Sequence, residues 1–331
     1  METRTLRHTR LTEIGLGGGQ FGNLYRAMSE ATAEEVFEAA WQGGVRYFDT
    51  APHYGLGLSE CRLGRLLHRR ARDEYVLSSK VGRLLVPNPV SAGASDDEGF
   101  DVPATTRRKW DFSRDGVRRS VEASLTRLGV DWLDIAFLHD PEGHWEQALT
   151  EGLPALHELR NEGVVAAIGA GMNFADPLIE LVEKHEVDIV MCAGRHTLLE
   201  RANTLLDAAQ SKGVGVVIAG VYNSGLLARP RPLPNAMYNY APAPPALLEL
   251  VNDLADRCET FGVSLPEAAL AFPLQHPAVL SVVVGASTPD QVNQTLERHE
   301  RTIPLELWTD VAAVLAAAPA ARSSLTAPNQ I

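Results

Sequence analysis

The stretch GLGGGQFG (residues 15–22) decides between two α/β folds. Gly17, Gly19 and Gly22 form the pattern G-x-G-x-x-G, and the apolar segment that comes later ends at Asp49. A glycine turn, a helix, a strand and then an acidic residue is the order of a dinucleotide-binding Rossmann unit. The alternative is an α/β architecture in which the same glycines form a loop after the first strand.

The residues around the glycine pattern do not fit a Rossmann unit. In such a unit the helix begins within the glycines, so that its first amides hold the pyrophosphate. Here residues 23–28 separate Gly22 from Ser29, the first residue that can cap a helix. The acidic residue of a Rossmann unit follows by about 20 positions, and Asp49 lies further from Gly22 than that. We therefore expect a different fold.

Strand-like and helix-like segments alternate along the whole chain. The strand-like segments are short, apolar and rich in β-branched residues, which is typical of parallel strands covered on both faces. There are eight of them: 13–18, 45–50, 75–80, 133–140, 163–170, 188–192, 214–220 and 280–286. Helical spacing and capping residues mark segments between them, such as 29–44, 113–130 and 288–300. This pattern predicts an α/β fold, a (β/α)8 TIM barrel, as a single domain over residues 1–331.

Composition and charge exclude several classes of function. The 331 residues carry a formal charge of −12, which disfavours binding to nucleic acid or to an anionic membrane. We see no secretory signal and no segment of transmembrane length. The three cysteines lie far apart, as expected of reduced thiols in the cytoplasm. The sequence thus predicts a cytoplasmic protein that acts on a small molecule.

Two long segments, 84–112 and 229–245, interrupt the alternation. Both are polar, rich in proline and glycine, and follow strands. On a barrel they would lie at the C-terminal face, where active sites form. We expect them to be loops that cover the site.

Four polar side chains stand at or just beyond three consecutive strand ends: Asp49, Tyr54, Lys80 and His139. Strand ends converge at one mouth of a barrel, so these side chains could meet. A nearby ammonium favours the phenolate form of tyrosine, so we expect Lys80 to lower the pKa of Tyr54. Asp49 would then keep Lys80 charged, and His139 would orient a substrate oxygen. Taken singly, each residue could instead be a cap, a turn aromatic, a solvated lysine or a core histidine.

The segment HDPEGH (139–144) collects possible metal ligands. A proline and a glycine lie between the histidines, and this spacing does not give the fixed geometry that a divalent metal site needs. We expect no metal here.

Three motifs identify a family. YFDTAPHYGLGLSE (47–60), SSKVGRL (78–84) and DIAFLHD (134–140) resemble those of the aldo-keto reductase superfamily, and the resemblance runs through essentially the whole chain. It implies a (β/α)8 barrel, a nicotinamide cofactor and a catalytic tetrad at Asp49, Tyr54, Lys80 and His139.

Further segments are similar to one branch of that family. Residues 110–142, 193–200 and 221–228 resemble the branch that holds D-threo-aldose 1-dehydrogenase (L-fucose dehydrogenase), L-galactose dehydrogenase and pyridoxal 4-dehydrogenase. These enzymes oxidise the hemiacetal carbon of an aldose or of pyridoxal to a lactone. The resemblance implies the same reaction here, with Tyr54 as the acid or base. The alternatives are pyridoxal 4-dehydrogenase activity, general NADPH-dependent reduction of aldehydes or ketones, and a non-catalytic binding subunit.

The resemblance also implies cofactor contacts, some of them at unusual residues. His196 stands where a tyrosine usually stacks on nicotinamide, and Phe21 is expected in the wall of the site. The full set is Gly19, Phe21, Asn173, His196, Tyr222, Asn223, Ser224, Gly225, Leu226, Gly285, Ala286, Ser287, Thr288, Gln291 and Gln294. Relatives that use NADP often carry cations where this chain has Ala286 and Gln291, so NAD is favoured over NADP. His53, Trp110 and Tyr238 are further candidates for substrate selection, and the oligomeric state stays open.

Overall fold

The computed structural model describes residues 1–7, 9–89, 93–239 and 241–318. Eight parallel strands close into a barrel in which each strand pairs with its neighbours in the sequence, and the eighth pairs with the first. They are β1 (Ile14–Gly17), β2 (Tyr47–Asp49), β3 (Val76–Val81), β4 (Leu133–His139), β5 (Val165–Met172), β6 (Ile189–Ala193), β7 (Gly215–Ala219) and β8 (Val279–Gly285). Each overlaps one of the eight predicted segments. The (β/α)8 barrel is therefore confirmed, and the Rossmann alternative is excluded.

Helices connect the strands and surround the barrel. They are α1 (Glu30–Gln42), α2 (Leu58–Leu67), α3 (Arg114–Leu128), α4 (Leu153–Asn161), α5 (Ala175–Lys184), α6 (Asn203–Lys212), α7 (Pro245–Thr260), α8 (Leu265–Ala271), α9 (Pro289–His299) and α10 (Leu305–Ala317). A helical turn (Trp145–Gln147) and a π-helical stretch (Ala148–Gly152) lead into α4. The predicted caps are present, since the side chains of Ser29 and Thr288 accept hydrogen bonds from the first turns of α1 and α9.

The two long segments are more ordered than the expected loops. Arg83–Pro87 pairs antiparallel with Thr106–Trp110, and we call these two strands the ribbon. In the second segment, Met237–Tyr238 pairs with Ala241–Pro242. Both segments are long connections that follow barrel strands, as predicted. The pairing within them was not predicted, because a two-stranded ribbon satisfies its backbone hydrogen bonds without the buried apolar run that marks a barrel strand.

A hairpin that the sequence did not reveal closes the N-terminal end of the barrel. Thr3–Leu6 pairs with Thr9–Thr12, and its Leu6 and Leu11 join the apolar side chains inside the barrel. The guanidinium of Arg4 donates a hydrogen bond of 2.7 Å to the carbonyl of Val279, at the start of β8. Because this hairpin closes the N-terminal end of the barrel, a site can form only at the opposite end, where the strands finish. We call that end the mouth.

Candidate active site

The side chains of Asp49, Lys80 and Tyr54 form one hydrogen-bonded group at the mouth of the barrel. The Nζ atom of Lys80 lies 2.7 Å from Oδ2 of Asp49 and 3.1 Å from the hydroxyl of Tyr54. It also donates to the carbonyl of Thr50 at 3.0 Å. Asp49 ends β2, Lys80 is near the end of β3, and Tyr54 is on the loop after β2. Strand geometry therefore brings together three of the four side chains that the sequence predicted.

Two further side chains extend this group and were missed from the sequence. The hydroxyl of Ser78 donates to Oδ1 of Asp49 at 2.6 Å and lies 3.0 Å from the hydroxyl of Tyr47. Side chains alternate along a strand, so Ser78 shares the inner face of β3 with Lys80, and Tyr47 shares that of β2 with Asp49. Ser78 and Tyr47 could have been predicted from this alternation. Both carboxylate oxygens of Asp49 are hydrogen-bonded.

Burial sets the pKa values of this group. It lowers the pKa of Lys80, but the charges and hydrogen bonds of Asp49 and Tyr54 together outweigh burial, and the net pKa is raised. For Tyr54 burial is the largest cause and raises the pKa, against the opposing pull of Lys80. Lys80 therefore acts on the pKa of Tyr54 in the predicted direction, but burial outweighs it and the net pKa is raised. The degree of burial decides the sign, and it is not visible in the sequence.

His139 completes the group from the end of β4. Its ring centroid is 6.0 Å from that of Tyr54 and 5.4 Å from that of His53. Burial lowers the pKa of His139 well below its ordinary value and that of His53 to about 2, so both rings are neutral at physiological pH. The buried Nδ1 of His139 has no hydrogen-bond partner within the described part of the chain. A neutral imidazole can donate a hydrogen bond to a substrate oxygen.

The glycines of the opening stretch hold the loop that carries Tyr54. A β-carbon added at Gly22 would lie 2.5 Å from the carbonyl carbon of Tyr54, and one added at Gly55 would collide with the carbonyl oxygen of Gly22. Gly55 also has a left-handed backbone, with φ of +62°. A side chain at residue 18 would meet the carbonyl oxygen of Asp49 at 2.8 Å. These glycines thus let the loop after β1 pack against the catalytic candidates.

Charged side chains form a rim above the group. The Nη2 atom of Arg83 lies 2.5 Å from Oδ2 of Asp140, and Nη1 of Arg108 lies 2.5 Å from Oδ1 of Asp96. Glu98 is within 3.6 Å of Arg83 and within 3.3 Å of Arg108. Both strands of the ribbon, the residues between them and the residue after β4 therefore bring charges of both signs to the mouth.

Aromatic side chains accompany these charges. The ring of Phe100 lies 6.1 Å from that of Tyr54 and 5.1 Å from that of His53. Trp110 is 40 % exposed, and the guanidinium of Arg83 lies 4.3 Å above its ring. Tyr238, in contrast, is buried and donates its hydroxyl to Glu200 at 2.6 Å. Of the three substrate-selecting candidates, His53 and Trp110 are at the mouth, and Tyr238 supports a neighbouring loop instead.

The loop after β7 has features that fit a cofactor phosphate. Asn223, Ser224 and Gly225 have consecutive left-handed backbones, with φ of 44°, 58° and 89°. Such turns orient successive amides to one side, an arrangement that favours anions. The side-chain oxygen of Asn223 is buried without a hydrogen-bond partner among the described residues. It can only accept a hydrogen bond, so it suits an N–H or O–H donor and not the phosphate itself. Tyr222 is half-buried beside this turn, whereas the side chain of Leu226 belongs to the apolar core.

The segment after β8 forms a well-capped helix start. The side chain of Thr288 accepts from the amide of Gln291 at 3.3 Å, and the side chain of Gln291 accepts from the amide of Ser287 at 2.7 Å. Gln294 accepts from Arg298 at 3.4 Å. At Gly285 an added β-carbon would meet the side chain of Gln20. The loops after β8 and β1 therefore touch each other at the mouth.

The remaining cofactor candidates fall into two groups, residues that are partly exposed and residues that are buried. Gly19 and Asn173 are partly exposed at the ends of β1 and β5, whereas Ala286 is buried. Phe21 is fully buried in the main core, so its predicted place in the wall of the site is wrong. His196 is only 2 % exposed and lies 4.9 Å from Phe272, with its Nδ1 accepting from the amide of Ala202. Its ring offers no open face, which contradicts the prediction that it stacks on nicotinamide.

A cation lies beside the segment after β8, contrary to the sequence argument for NAD. A cavity of about 240 Å³ is lined by Ser287, by Arg26 and Ser29 from the loop after β1, and by Thr32 from α1. Arg26 is exposed and has no ion-pair partner among the residues that the structure describes. The sequence argument missed it because the two segments are far apart in the chain.

Three other features bear on the class of the protein. Within the described ranges, no helix is both long and apolar enough to cross a bilayer. In the same part of the chain no group of three His, Cys, Asp or Glu side chains is arranged to hold a metal ion. All three cysteines are unpaired, and Cys192 and Cys258 are buried.

Comparison with known proteins agrees with this geometry. The model of the Aldo/keto reductase family matches residues 13–316. The chain belongs to the aldo/keto reductase family. It is thus an oxidoreductase of a family that uses nicotinamide cofactors, which confirms the resemblance found in the motifs.

Individual members of the family are similar over nearly the whole chain. A D-threo-aldose 1-dehydrogenase of a Pseudomonas species is 47% identical over 304 residues, covering 90% of this chain and 92% of that protein. A pyridoxal 4-dehydrogenase of Microbacterium luteolum is 38% identical, covering 93% of this chain and 96% of that protein. Among solved structures, the holo form of aldo-keto reductase AKR11C1 from Bacillus halodurans has a TM-score of 0.74 at 26% identity, covering 95% and 96% of the two chains.

Proposed function

We propose that this enzyme oxidises the hemiacetal carbon of an aldose, of the L-fucose or D-threo-aldose type, to a lactone. The observation that carries the proposal is the Tyr54 hydroxyl, which is held by Lys80 at 3.1 Å and lies beside His139 at the mouth of the barrel. The similarity to the D-threo-aldose 1-dehydrogenase supports the choice of substrate class. A single barrel domain over residues 1–331 and a cytoplasmic location belong to the same proposal.

Each member of the tetrad has one role in this reaction. His139, as a neutral ring, donates a hydrogen bond to the hemiacetal oxygen and orients it. Tyr54 removes the proton from that hydroxyl, so that the C–O bond gains double-bond character as the carbon loses its hydride. Lys80 stabilises the phenolate form of Tyr54, and Asp49 keeps Lys80 charged and in place. In reverse, Tyr54 gives the proton back to a carbonyl oxygen.

A bound nicotinamide would supply the acceptor for the hydride. The residues present fit such a group, because the left-handed turn after β7 and the orphaned oxygen of Asn223 offer polar contacts at the mouth. We propose that the adenosine end is held by Ser287 and Arg26, which line one cavity, and by Thr288, which follows Ser287 at the start of α9. We propose that both NAD and NADP bind, and that Arg26 contributes the affinity for the 2′-phosphate.

Pyridoxal is the second candidate substrate. It is supported by the 38% identity to pyridoxal 4-dehydrogenase and by the aromatic side chains Phe100 and Trp110 at the rim. A panel of L-fucose, D-arabinose, pyridoxal and simple aldehydes, each with both cofactors, separates the candidates by the formation of reduced cofactor. Faster reduction of simple aldehydes than oxidation of any hemiacetal would favour the general reductase instead.

A further inference from the structure

The ion pair of Arg83 and Asp140 joins two elements above the tetrad. Arg83 begins the ribbon after β3, and Asp140 directly follows β4. Their side chains are only 12% and 16% exposed, and the contact between them is 2.5 Å. Asp140 has a left-handed backbone, with φ of 43°, which is uncommon for a residue other than glycine and often marks a functional site.

This pair reaches the position where a substrate oxygen would bind. Oδ2 of Asp140 lies 3.5 Å from Nε2 of His139, and Nη1 of Arg83 lies 3.3 Å from Nδ1 of His53. The His53 ring is in turn 5.4 Å from that of His139. An oxygen held by His139 therefore has the carboxylate and the guanidinium as its next polar neighbours. Adjacent hydroxyl groups of a sugar are separated by about a hydrogen-bond length.

The chemistry of the pair suits a hydroxyl group. An ionised carboxylate only accepts hydrogen bonds and a guanidinium only donates them, whereas a hydroxyl does both. A hydroxyl bound between Asp140 and Arg83 would donate its proton to the carboxylate of Asp140 and accept a hydrogen bond from the guanidinium of Arg83. Trp110, partly exposed under the guanidinium of Arg83, adds an apolar surface for the C–H groups of a sugar ring.

The charges at the mouth disfavour an anionic substrate. Cations and carboxylates lie close together in the tetrad and the rim, and the two histidines are neutral because burial lowers their pKa values. The cations are Lys80, Arg83 and Arg108, and the carboxylates are Asp49, Asp96, Glu98 and Asp140. With four carboxylates against three cations, a phosphate or carboxylate on the substrate would face a net negative field.

We infer that Asp140 and Arg83 are specificity-determining residues that bind the hydroxyl group next to the reacting carbon. They thereby select neutral, polyhydroxylated hemiacetals and reject phosphorylated ones. The inference rests on the proposed hemiacetal oxidation, and it identifies the hydroxyl group next to the reacting carbon as the part of the substrate that the site recognises.

The test compares L-fucose with its 2-deoxy analogue in wild type, Asp140→Asn and Arg83→Gln, using kcat/KM for each. A hydrogen bond to a charged group contributes roughly 1.5–3 kcal/mol, so wild type should prefer L-fucose by about 10- to 100-fold. Each substitution should remove most of that preference, because activity falls with L-fucose and changes little with the deoxy sugar. L-Fucose 1-phosphate has no free hemiacetal hydroxyl, so it cannot serve as the phosphorylated substrate. Glucose and glucose 6-phosphate are therefore compared to test the effect of substrate charge, and we expect kcat/KM to be higher for glucose.

Asp134→Asn is the matched control. Asp134 is near the start of β4, at the other end of the strand that Asp140 follows, and pairs with Arg72 at 2.7 Å with a similar exposure of 14%. It should cost stability without changing the preference for L-fucose over the deoxy sugar. If Asp140→Asn and Arg83→Gln lower kcat/KM equally for both sugars, the pair is only structural and the inference is overturned. If wild type oxidises no hemiacetal at all but reduces aldehydes, the proposed function itself fails, and the inference fails with it.

Discussion

Gly22 lies directly against Tyr54, so that a β-carbon at residue 22 would be 2.5 Å from the carbonyl carbon of the tyrosine. The last glycine of the opening G-x-G-x-x-G pattern thus positions the proposed acid–base residue. The motif is not a Rossmann phosphate loop, although it does stand at the mouth of a nicotinamide-family barrel.

Gly22→Ala should displace the Tyr54 loop, because contacts under 3.0 Å with backbone atoms force a shift. We expect kcat to fall by about 10- to 100-fold, as small misplacements of catalytic groups are costly. Gly143→Ala is the control, since no atom lies within 4 Å of a β-carbon there. Steady-state kinetics check both variants, and equal activities of the two would show that the close contact is unimportant.

The buried pair of Asp49 and Lys80 predicts non-additive effects on stability. Both side chains are 2–3% exposed, so Asp49→Asn leaves Lys80 as a buried charge without its opposite charge. Breaking such a pair costs about 3–5 kcal/mol in the free energy of unfolding. The double variant Asp49→Asn with Lys80→Met should be less destabilised than the sum of the single variants, as measured by urea denaturation. Simple additivity would argue against a strong pair.

The raised pKa of Tyr54 predicts opposite pH profiles for the two directions. Oxidation needs the phenolate, and burial keeps the pKa above its ordinary value despite Lys80, so kcat/KM for oxidation should rise about tenfold per pH unit from neutral pH upward. Reduction uses the protonated form and should be level over the same range. Lys80→Met removes the opposing attraction and should move the rise to higher pH. A level oxidation profile between about pH 6 and about pH 9 would contradict a tyrosine base.

Arg26 predicts a selective effect on cofactor binding. Arg26→Ala should weaken NADP by about 5- to 10-fold, because an exposed charge-assisted hydrogen bond contributes about 1 kcal/mol. NAD, which lacks the 2′-phosphate, should bind as before. Quenching of tryptophan fluorescence gives both dissociation constants without turnover. An equal loss for NAD and NADP would show that Arg26 acts on the fold of the loop and not on the phosphate.

The barrel and the tetrad could be predicted because their signals are local. The strands are continuous apolar runs, the helices begin at caps such as Ser29 and Thr288, and parallel strands bring their ends together. That geometry places Asp49 and Lys80 at neighbouring strand ends, and the family resemblance assigns them to the tetrad.

The remaining features depend on tertiary contacts that no local pattern encodes. Packing against Phe272 turns His196 inward, and the loop after β1 brings Arg26 beside Ser287. The sign of the pKa shift of Tyr54 depends on how deeply it is buried, since burial and the attraction of Lys80 oppose each other. Sequence motifs can therefore identify such residues, but their accessibility, neighbours and pKa values depend on tertiary packing.

Tyr54→Phe tests the central claim most directly. It removes one oxygen atom from a ring that stays packed against Phe100 and His53, so folding and cofactor binding should be unchanged. General acid–base catalysis contributes about 10²- to 10⁴-fold, and we predict that the rate of L-fucose oxidation with NAD or NADP falls by that factor. A Tyr54→Phe variant that oxidises L-fucose as fast as wild type would contradict the account.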